Sequence, residues 1–362
     1  MRWDHMRLDE PDTETGDGAA GGGCGTAPQA LFDRGAVTRT FDTPGFRGMT
    51  FYEVQAKSIV NRVPATSRMA FTWTINPYRG CQHACKYCFA RNTHTYLDLD
   101  AGHDFDSKVV VKVNAPELLR RKLASAGWQG EHIAMGTNVD CYQRAEGKYQ
   151  LMRGIITALR DAANPFSILT KGTLILRDLD LLTQAAQVTE VGLNVSAGFI
   201  DKELWRTLEP GTPSPERRLD ACKTLTDAGL RCGVLMGPIV PFLSDSPGQL
   251  EAAVRRIADS GAVHVTPIVL HLRPGTREWY LRWLNDNHPE LVRRYLRFYG
   301  RGAYAPKAYQ SEISGQVREL AKRYGVGATS PAEGRRIGPP GLGPKPTEQA
   351  PAAPEPLQLS LL

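Results

Sequence analysis

Between residues 71 and 270, short apolar runs alternate six times with segments of helical period. No other feature constrains the fold as strongly. Runs of about five residues bounded by turns read as strands, and apolar residues three and four apart read as one helix face. The strands are expected at 71–75, 132–136, 166–170, 190–196, 232–236 and 263–270. Between them, Leu118, Leu119 and Leu123 mark a helix over 115–126, and Leu151, Met152, Ile155, Ile156 and Leu159 mark another over 149–162. Further helices are expected over 174–186 and 249–260, and residues 104–113 read as an inserted extended piece. Two helices follow the fourth strand. The second opens at Ser214-Pro215-Glu216, with serine as N-cap and proline at the first helical position. Strands that alternate with helices imply an α/β fold with a parallel sheet.

In such folds the reactive groups sit on loops after the C-terminal ends of strands. The loop after the first strand is Asn76-Pro77-Tyr78-Arg79-Gly80-Cys81-Gln82-His83-Ala84-Cys85-Lys86-Tyr87-Cys88-Phe89-Ala90-Arg91. Its cysteines have the spacing C-x-x-x-C-x-x-C. Three thiolates on one loop can hold three corners of an iron–sulfur cube. No fourth cysteine lies nearby, so the fourth iron is left open for chemistry. The competing reading is a zinc site with His83 as a fourth ligand. Zinc sites usually join two hooks from separate segments, and no second hook follows here.

These residues resemble the radical S-adenosylmethionine (radical SAM) superfamily. The run N-P-Y-R-G-C-x-H-x-C-x-Y-C-F-A-R is similar to its spore photoproduct lyase-like branch, often labelled "DNA repair photolyase", and the resemblance covers roughly residues 51–325. It implies a partial six-stranded (β/α)6 barrel with a C-terminal helical extension. It implies a [4Fe-4S] cluster on Cys81, Cys85 and Cys88, with S-adenosyl-L-methionine on the open iron and an external electron donor of flavodoxin or ferredoxin type. An electron from the cluster then breaks the C5′–S bond, and the 5′-deoxyadenosyl radical takes a hydrogen atom from the substrate.

The resemblance also distributes the cofactor over the strand ends. Tyr87 is expected near the adenine. Gly136, Thr137 and Asn138 are expected near the amino group. Lys171 pairs with the carboxylate, Asn194 and Ser196 meet the ribose or carboxylate, and Met236 borders the adenine. For each, the plainer role is a turn, a cap or packing. One run departs from the family pattern. Where T-D-P-Y-Q is common, this chain has Val139-Asp140-Cys141-Tyr142-Gln143. Cys141 is expected at the active-site rim, either as a hydrogen-atom donor or as an inert packing residue. Asp140, Tyr142, Gln143 and Glu146 are candidate substrate contacts. Arg206, Glu209 and the stiff proline-rich run 210–218 are expected to border the mouth.

Residues 1–40 read as a flexible arm, 41–70 as a lead-in, 71–272 as the barrel, 273–326 as a basic, aromatic-rich helical extension and 327–362 as a disordered tail. The net charge is +6, and residues 273–323 alone carry 11 Lys and Arg against 5 Asp and Glu. Trp279, Tyr280, Trp283, Tyr295, Phe298, Tyr299, Tyr304, Tyr309 and Tyr324 crowd this extension. They either stack on DNA bases beside phosphate-bound arginines or pack helices onto the barrel. The terminal Gln358-Leu359-Ser360-Leu361-Leu362 resembles the short peptide by which bacterial repair proteins dock on the sliding clamp. Seven cysteines in an odd set argue against a disulfide framework; Cys222 and Cys232 read as core residues and Cys24 falls in a glycine run. No apolar run has signal-peptide or membrane-spanning length, so a cytoplasmic chain is expected. The activity expected is radical SAM chemistry of a lyase-like kind on damaged or modified nucleic acid. The alternatives are the same chemistry on a peptide or small metabolite, and a non-catalytic DNA-associated metal-binding protein.

Overall fold

The structure is a computed structural model that describes residues 35–64, 69 and 71–328. The twelve strands among these residues are β1 (Val37–Arg39), β2 (Thr50–Val54), β3 (Val60–Arg62), β4 (Trp73–Ile75), β5 (Tyr78–Arg79), β6 (Lys108–Lys112), β7 (Ile133–Met135), β8 (Phe166–Thr170), β9 (Val191–Ser196), β10 (Cys232–Ile239), β11 (His264–Val269) and β12 (Gly327–Ala328). Eight of them form one sheet in the order β12-β11-β10-β9-β8-β7-β4-β3. Neighbours from β4 to β12 run parallel, and β3 closes one edge antiparallel. The six expected strands are therefore consecutive neighbours in one open sheet, the wall of a partial barrel. Their residues are mostly buried, as parallel strands covered by helices must be.

The helices lie where the periodicity places them. Leu151–Asp161 buries Leu151, Met152, Ile155, Ile156 and Leu159. Each such side chain contributes about 1.5–3 kcal/mol on burial. The helix is cut off from the short Arg144–Tyr149 by Gln150, which sits at φ 51°. Pro215–Asp227 begins as expected, with the Ser214 side chain accepting from the Arg217 N–H. Pro247–Asp259 opens with a reciprocal Ser246–Gln249 cap. Beyond β11, the helices Thr276–Asn287, Pro289–Tyr299 and Lys307–Arg323 pack back on the barrel.

Three expectations need correction. Val37–Arg39, inside the segment read as an arm, pairs with β2. The inserted piece at 104–113 is extended only in its second half: His103–Ser107 is helical, and β6 then joins a second, four-stranded sheet of order β1-β2-β6-β5. Gly327–Ala328, inside the segment read as tail, adds a strand to β11. Most of the extension's aromatics lie in the core or pack against it. Tyr280, Trp283, Tyr295 and Tyr299 are buried, with the Tyr295 hydroxyl donating to the Pro241 carbonyl at 2.6 Å and that of Tyr299 to the Leu270 carbonyl at 2.7 Å. Cys24 and the run Gln358–Leu362 lie outside the described residues. Among the described residues no helix is long and apolar enough to cross a membrane.

Candidate active site

The cysteine loop leaves β5 through Gly80, at φ 77°. A Cβ there would lie 2.6 Å from the Lys108 carbonyl oxygen, so only glycine lets the loop start against β6. The loop then turns through Ala84, with its N–H bonded to the Cys81 carbonyl at 3.2 Å. It ends in the short 3-10 helix Phe89–Thr93. Cys81 and Cys85 are buried and Cys88 is half-buried, all with free thiols.

Three braces fix this loop. The first is Arg91, which is fully buried. Its Nε and Nη2 donate to the Cys85 carbonyl at 3.1 and 3.0 Å, its Nη1 to Ala101 and Gly102 carbonyls, and its Nη2 to Asp106 at 2.7 Å. Its guanidinium also faces the Phe105 and Trp279 rings. The second brace is the run after β7. Gln143 accepts from the Gln82 N–H and donates to the Gly80 carbonyl, both at 3.0 Å. Asp140 faces His83 Nδ1 at 3.4 Å and accepts from Thr170 Oγ1 and the Lys171 N–H at 2.6 Å each. The third is the turn at 208–212. The Leu208 carbonyl accepts from the Lys86 N–H, and the Gly211 N–H donates to the His83 carbonyl. A Cβ on Gly211 would lie 1.9 Å from the Gln82 carbonyl oxygen.

Next to the loop, the strand ends supply a charged group. Lys171 follows β8, and its ammonium donates to Ser196 Oγ at the end of β9. Ser196 Oγ in turn donates to the Gly237 carbonyl at 3.0 Å. Lys171 Nζ lies 3.7 Å from Glu209 and 5.8 Å from the centre of the Tyr87 ring. Glu209 is buried and accepts from both the Tyr87 hydroxyl and the Arg218 guanidinium. Burial pushes the Glu209 carboxyl up; Arg218 and Lys171 outweigh that and hold it below the usual range. Lys171, Ser196 and Tyr87 are thus brought together around a glutamate that sequence reasoning placed only at the mouth. Arg91 had no assigned role, and Glu209 and Arg218 were expected only to border the mouth; the signal was the motif they stand in, C-F-A-R for Arg91 and the run from Glu209 to Arg218 for the other two.

The other expected site residues fall differently. Gly136, at φ 74°, follows β7; a Cβ there would lie 1.8 Å from the Leu169 carbonyl oxygen. Thr137 and Asn138 are half-buried beside it. Asn194 is not at the strand end. Its Oδ1 bonds His264 Nε2 at 3.0 Å inside the barrel, across Gly233, where a Cβ would strike both. Met236 is buried, and β10 runs past it to Ile239, so the strand end lies three residues further on than expected. Cys141 is fully buried, not at a rim, and burial raises its thiol. Asp140, Tyr142, Gln143 and Glu146 are buried or nearly so and bonded within the protein, where they brace the loop and its surroundings. Glu146 accepts from Tyr78 at 2.5 Å and Arg177 at 2.6 Å, and Tyr142 donates to Asp178 at 3.0 Å.

The donor set of the loop fits a cluster. Three thiols come from eight consecutive residues, Cys81 and Cys85 buried and Cys88 half-buried, with cations near Cys85 and Cys88. Burial raises each thiol; Lys171 and Arg218 pull Cys85 down, and Arg91 and Lys171 pull Cys88 down. Among the described residues, no three His, Cys, Asp or Glu side chains are drawn around one metal position. Cys222 and Cys232 lie together in the core, away from this loop in sequence, with the Cys222 thiol donating to the Cys232 carbonyl at 4.0 Å.

The family model described as the Radical SAM superfamily matches residues 75–257. An uncharacterized protein of Mycobacterium tuberculosis is 45% identical over 324 residues, covering 90% of this chain and 93% of its own length. One from Methanocaldococcus jannaschii is 31% identical over 246 residues, covering 67% and 81%. The fold is similar to that of a spore photoproduct lyase mutant with bound AdoMet and dinucleoside spore photoproduct. There the TM-score is 0.57 at 14% identity, over 72% of this chain and 76% of that one.

Proposed function

The chain belongs to the radical SAM superfamily, and from that premise we propose that Cys81, Cys85 and Cys88 hold a [4Fe-4S] cluster for the reductive cleavage of S-adenosylmethionine, in a lyase-like reaction on damaged or modified nucleic acid. The observation that carries this reading is the group Lys171, Ser196, Glu209 and Tyr87, gathered at the strand ends beside the cysteine loop. When bound, the cluster supplies the electron that splits S-adenosylmethionine and frees a 5′-deoxyadenosyl radical. The remaining work belongs to this chain. Lys171 offers a point charge to a carboxylate. Glu209 offers a fixed negative charge to an ammonium, and the Tyr87 ring offers a face to a flat group. The buried braces at Arg91, Asp140 and Gln143 keep the loop in place and exclude water from it. The electron comes from an external donor of flavodoxin or ferredoxin type.

Nucleic acid is favoured over a peptide by the basic extension, which is tied directly to the cysteine loop: Thr276 Oγ1 donates to the Cys88 carbonyl at 3.1 Å. The test is anaerobic incubation of reconstituted protein, S-adenosylmethionine and dithionite with oligonucleotides carrying a library of base lesions. A changed oligonucleotide together with 5′-deoxyadenosine supports the reading. Cleavage of S-adenosylmethionine with every oligonucleotide untouched would remove the nucleic-acid part. For the terminal run Gln358–Leu362, the proposed partner is the sliding clamp. Its deletion should abolish clamp binding, and unchanged or absent binding rejects that partner.

A further inference from the structure

Two large aromatic side chains at the mouth are exposed. Phe89, directly after Cys88, is 38% exposed, and Tyr304 is 51% exposed. His271 lies between them. It follows β11 by two residues, on the same end of the barrel as the cysteine loop. The Phe89 and His271 rings are 6.3 Å apart at 33°, and the His271 and Tyr304 rings are 5.6 Å apart at 33°. The three rings form a continuous tilted row, and the exposed Arg273 places its guanidinium 5.4 Å from the centre of the Phe89 ring.

The row is held rigidly. His271 and Tyr304 form a backbone bridge, and the Leu272 N–H donates to the Ala303 carbonyl at 2.7 Å. Arg277 ties down the preceding turn through the Gly300 and Gly302 carbonyls, at 2.7 and 3.0 Å. Asn92, on the 3-10 turn that carries Phe89, donates to the Pro274 carbonyl. An exposed aromatic row fixed from beneath and flanked by arginine is a stacking surface. The buried aromatics of the extension show what packing looks like in this segment, and Tyr304 does not share it.

We propose that Phe89, His271 and Tyr304, with Arg273, form a platform on which an unpaired base of a single-stranded nucleic acid stacks, with its phosphates met by the basic extension. The charge of residues 273–323, 11 Lys and Arg against 5 Asp and Glu, complements that occupant. Bases stack on aromatics whatever their identity, and arginine adds both a cation for the phosphate and a flat face for the base. This inference rests on the nucleic-acid reading above and assigns its recognition surface.

The probe is a fluorescein-labelled 12-nucleotide thymidine strand, compared with a duplex of equal length, in anisotropy titrations of the full chain at two salt concentrations. The wild type should prefer the single strand. Tyr304→Ala should weaken binding about tenfold, and Tyr304→Phe, which keeps the ring, should bind as wild type. Arg273→Ala should lessen the salt dependence by roughly one phosphate contact. No binding by the wild type overturns the platform. So does equal binding by wild type and Tyr304→Ala, or equal affinity for strand and duplex, which leaves charge attraction alone. Wild-type cleavage of S-adenosylmethionine without nucleic acid is measured in parallel. Intact cleavage without strand binding sinks the platform and spares the radical chemistry. Ring-dependent strand binding without cleavage does the reverse.

Discussion

Two nitrogens of Arg91 donate to the single carbonyl oxygen of Cys85, at 3.1 and 3.0 Å. The same guanidinium directs its other donors to Ala101, Gly102 and Asp106. Five donors in a fixed plane are something lysine cannot reproduce. Arg91→Lys should therefore loosen the loop between Cys85 and Cys88. We expect a loss of about 2–4 kcal/mol in thermal or urea unfolding, from buried acceptors left unpaired. Iron retained after desalting should fall with it. Full iron retention in Arg91→Lys would show that the brace is not needed.

Lys171 and Ser196 meet at adjoining strand ends, 25 residues apart in sequence. If Lys171 holds the carboxylate of S-adenosylmethionine, Lys171→Met should weaken its binding about tenfold or more, as loss of a charge-assisted contact does. Ser196→Ala should weaken it less, because Ser196 positions the ammonium. Anaerobic calorimetry on reconstituted protein decides. Equal affinity in Lys171→Met and wild type rejects the assignment.

Asp140 gives a pH dependence. Burial alone would raise its carboxyl, but His83, the Lys171 N–H and Thr170 outweigh burial and lower it to about 2. A carboxyl lower in the folded than in the unfolded chain stabilises above its unfolded value, near 3.9, and loses that contribution as pH falls toward 2. The contribution reaches about 2–3 kcal/mol only where His83 carries its charge, and is smaller otherwise. Asp140→Asn should lower stability near pH 7 and lose its effect below about pH 2. An Asp140→Asn variant as stable as wild type at pH 7 would contradict this.

Lys112 gives the opposite sign. It is buried on β6, and burial first, then the charge of Arg79, lowers its ammonium to about 7. Below that pH a charged lysine sits in the fold at a penalty. Above it the penalty declines, and it is gone once the unfolded lysine also loses its proton near 10.4. Lys112→Met should raise stability by roughly 2 kcal/mol or more at pH 6, with the gain shrinking toward pH 10. A loss at pH 6 would mean that the ammonium has a favourable partner.

The barrel was legible because its physics is local. Apolar runs and helical periods are written residue by residue, and all six strands fall within a few residues of their expected places. That Cys81, Cys85 and Cys88 share one loop after the first barrel strand was legible for the same reason. What escaped was long-range. Glu209 meets Tyr87 across 122 residues, and Gln143 meets Gln82 across 61. No spacing rule predicts such pairs. Asn194 misled because its type and its place near a strand end suited a ligand contact. Gly233 and His264 decide otherwise, by opening a gap on the neighbouring strand and filling it. The short strands β1 and β12 were missed because three and two residues carry too little pattern.

In the function proposed above, the thiols of Cys81, Cys85 and Cys88 bind the iron–sulfur cluster. The most direct measurement is iron, sulfide and low-temperature electron paramagnetic resonance on anaerobically reconstituted wild type beside Cys81→Ala, Cys85→Ala and Cys88→Ala, with Cys222→Ala as control. The expected result is about four iron and four sulfide per wild-type and control chain, with a reduced-cluster signal that changes when S-adenosylmethionine is added, and loss of both in each loop variant. A wild type that holds zinc and no iron, or loop variants that keep a full cluster, would contradict it.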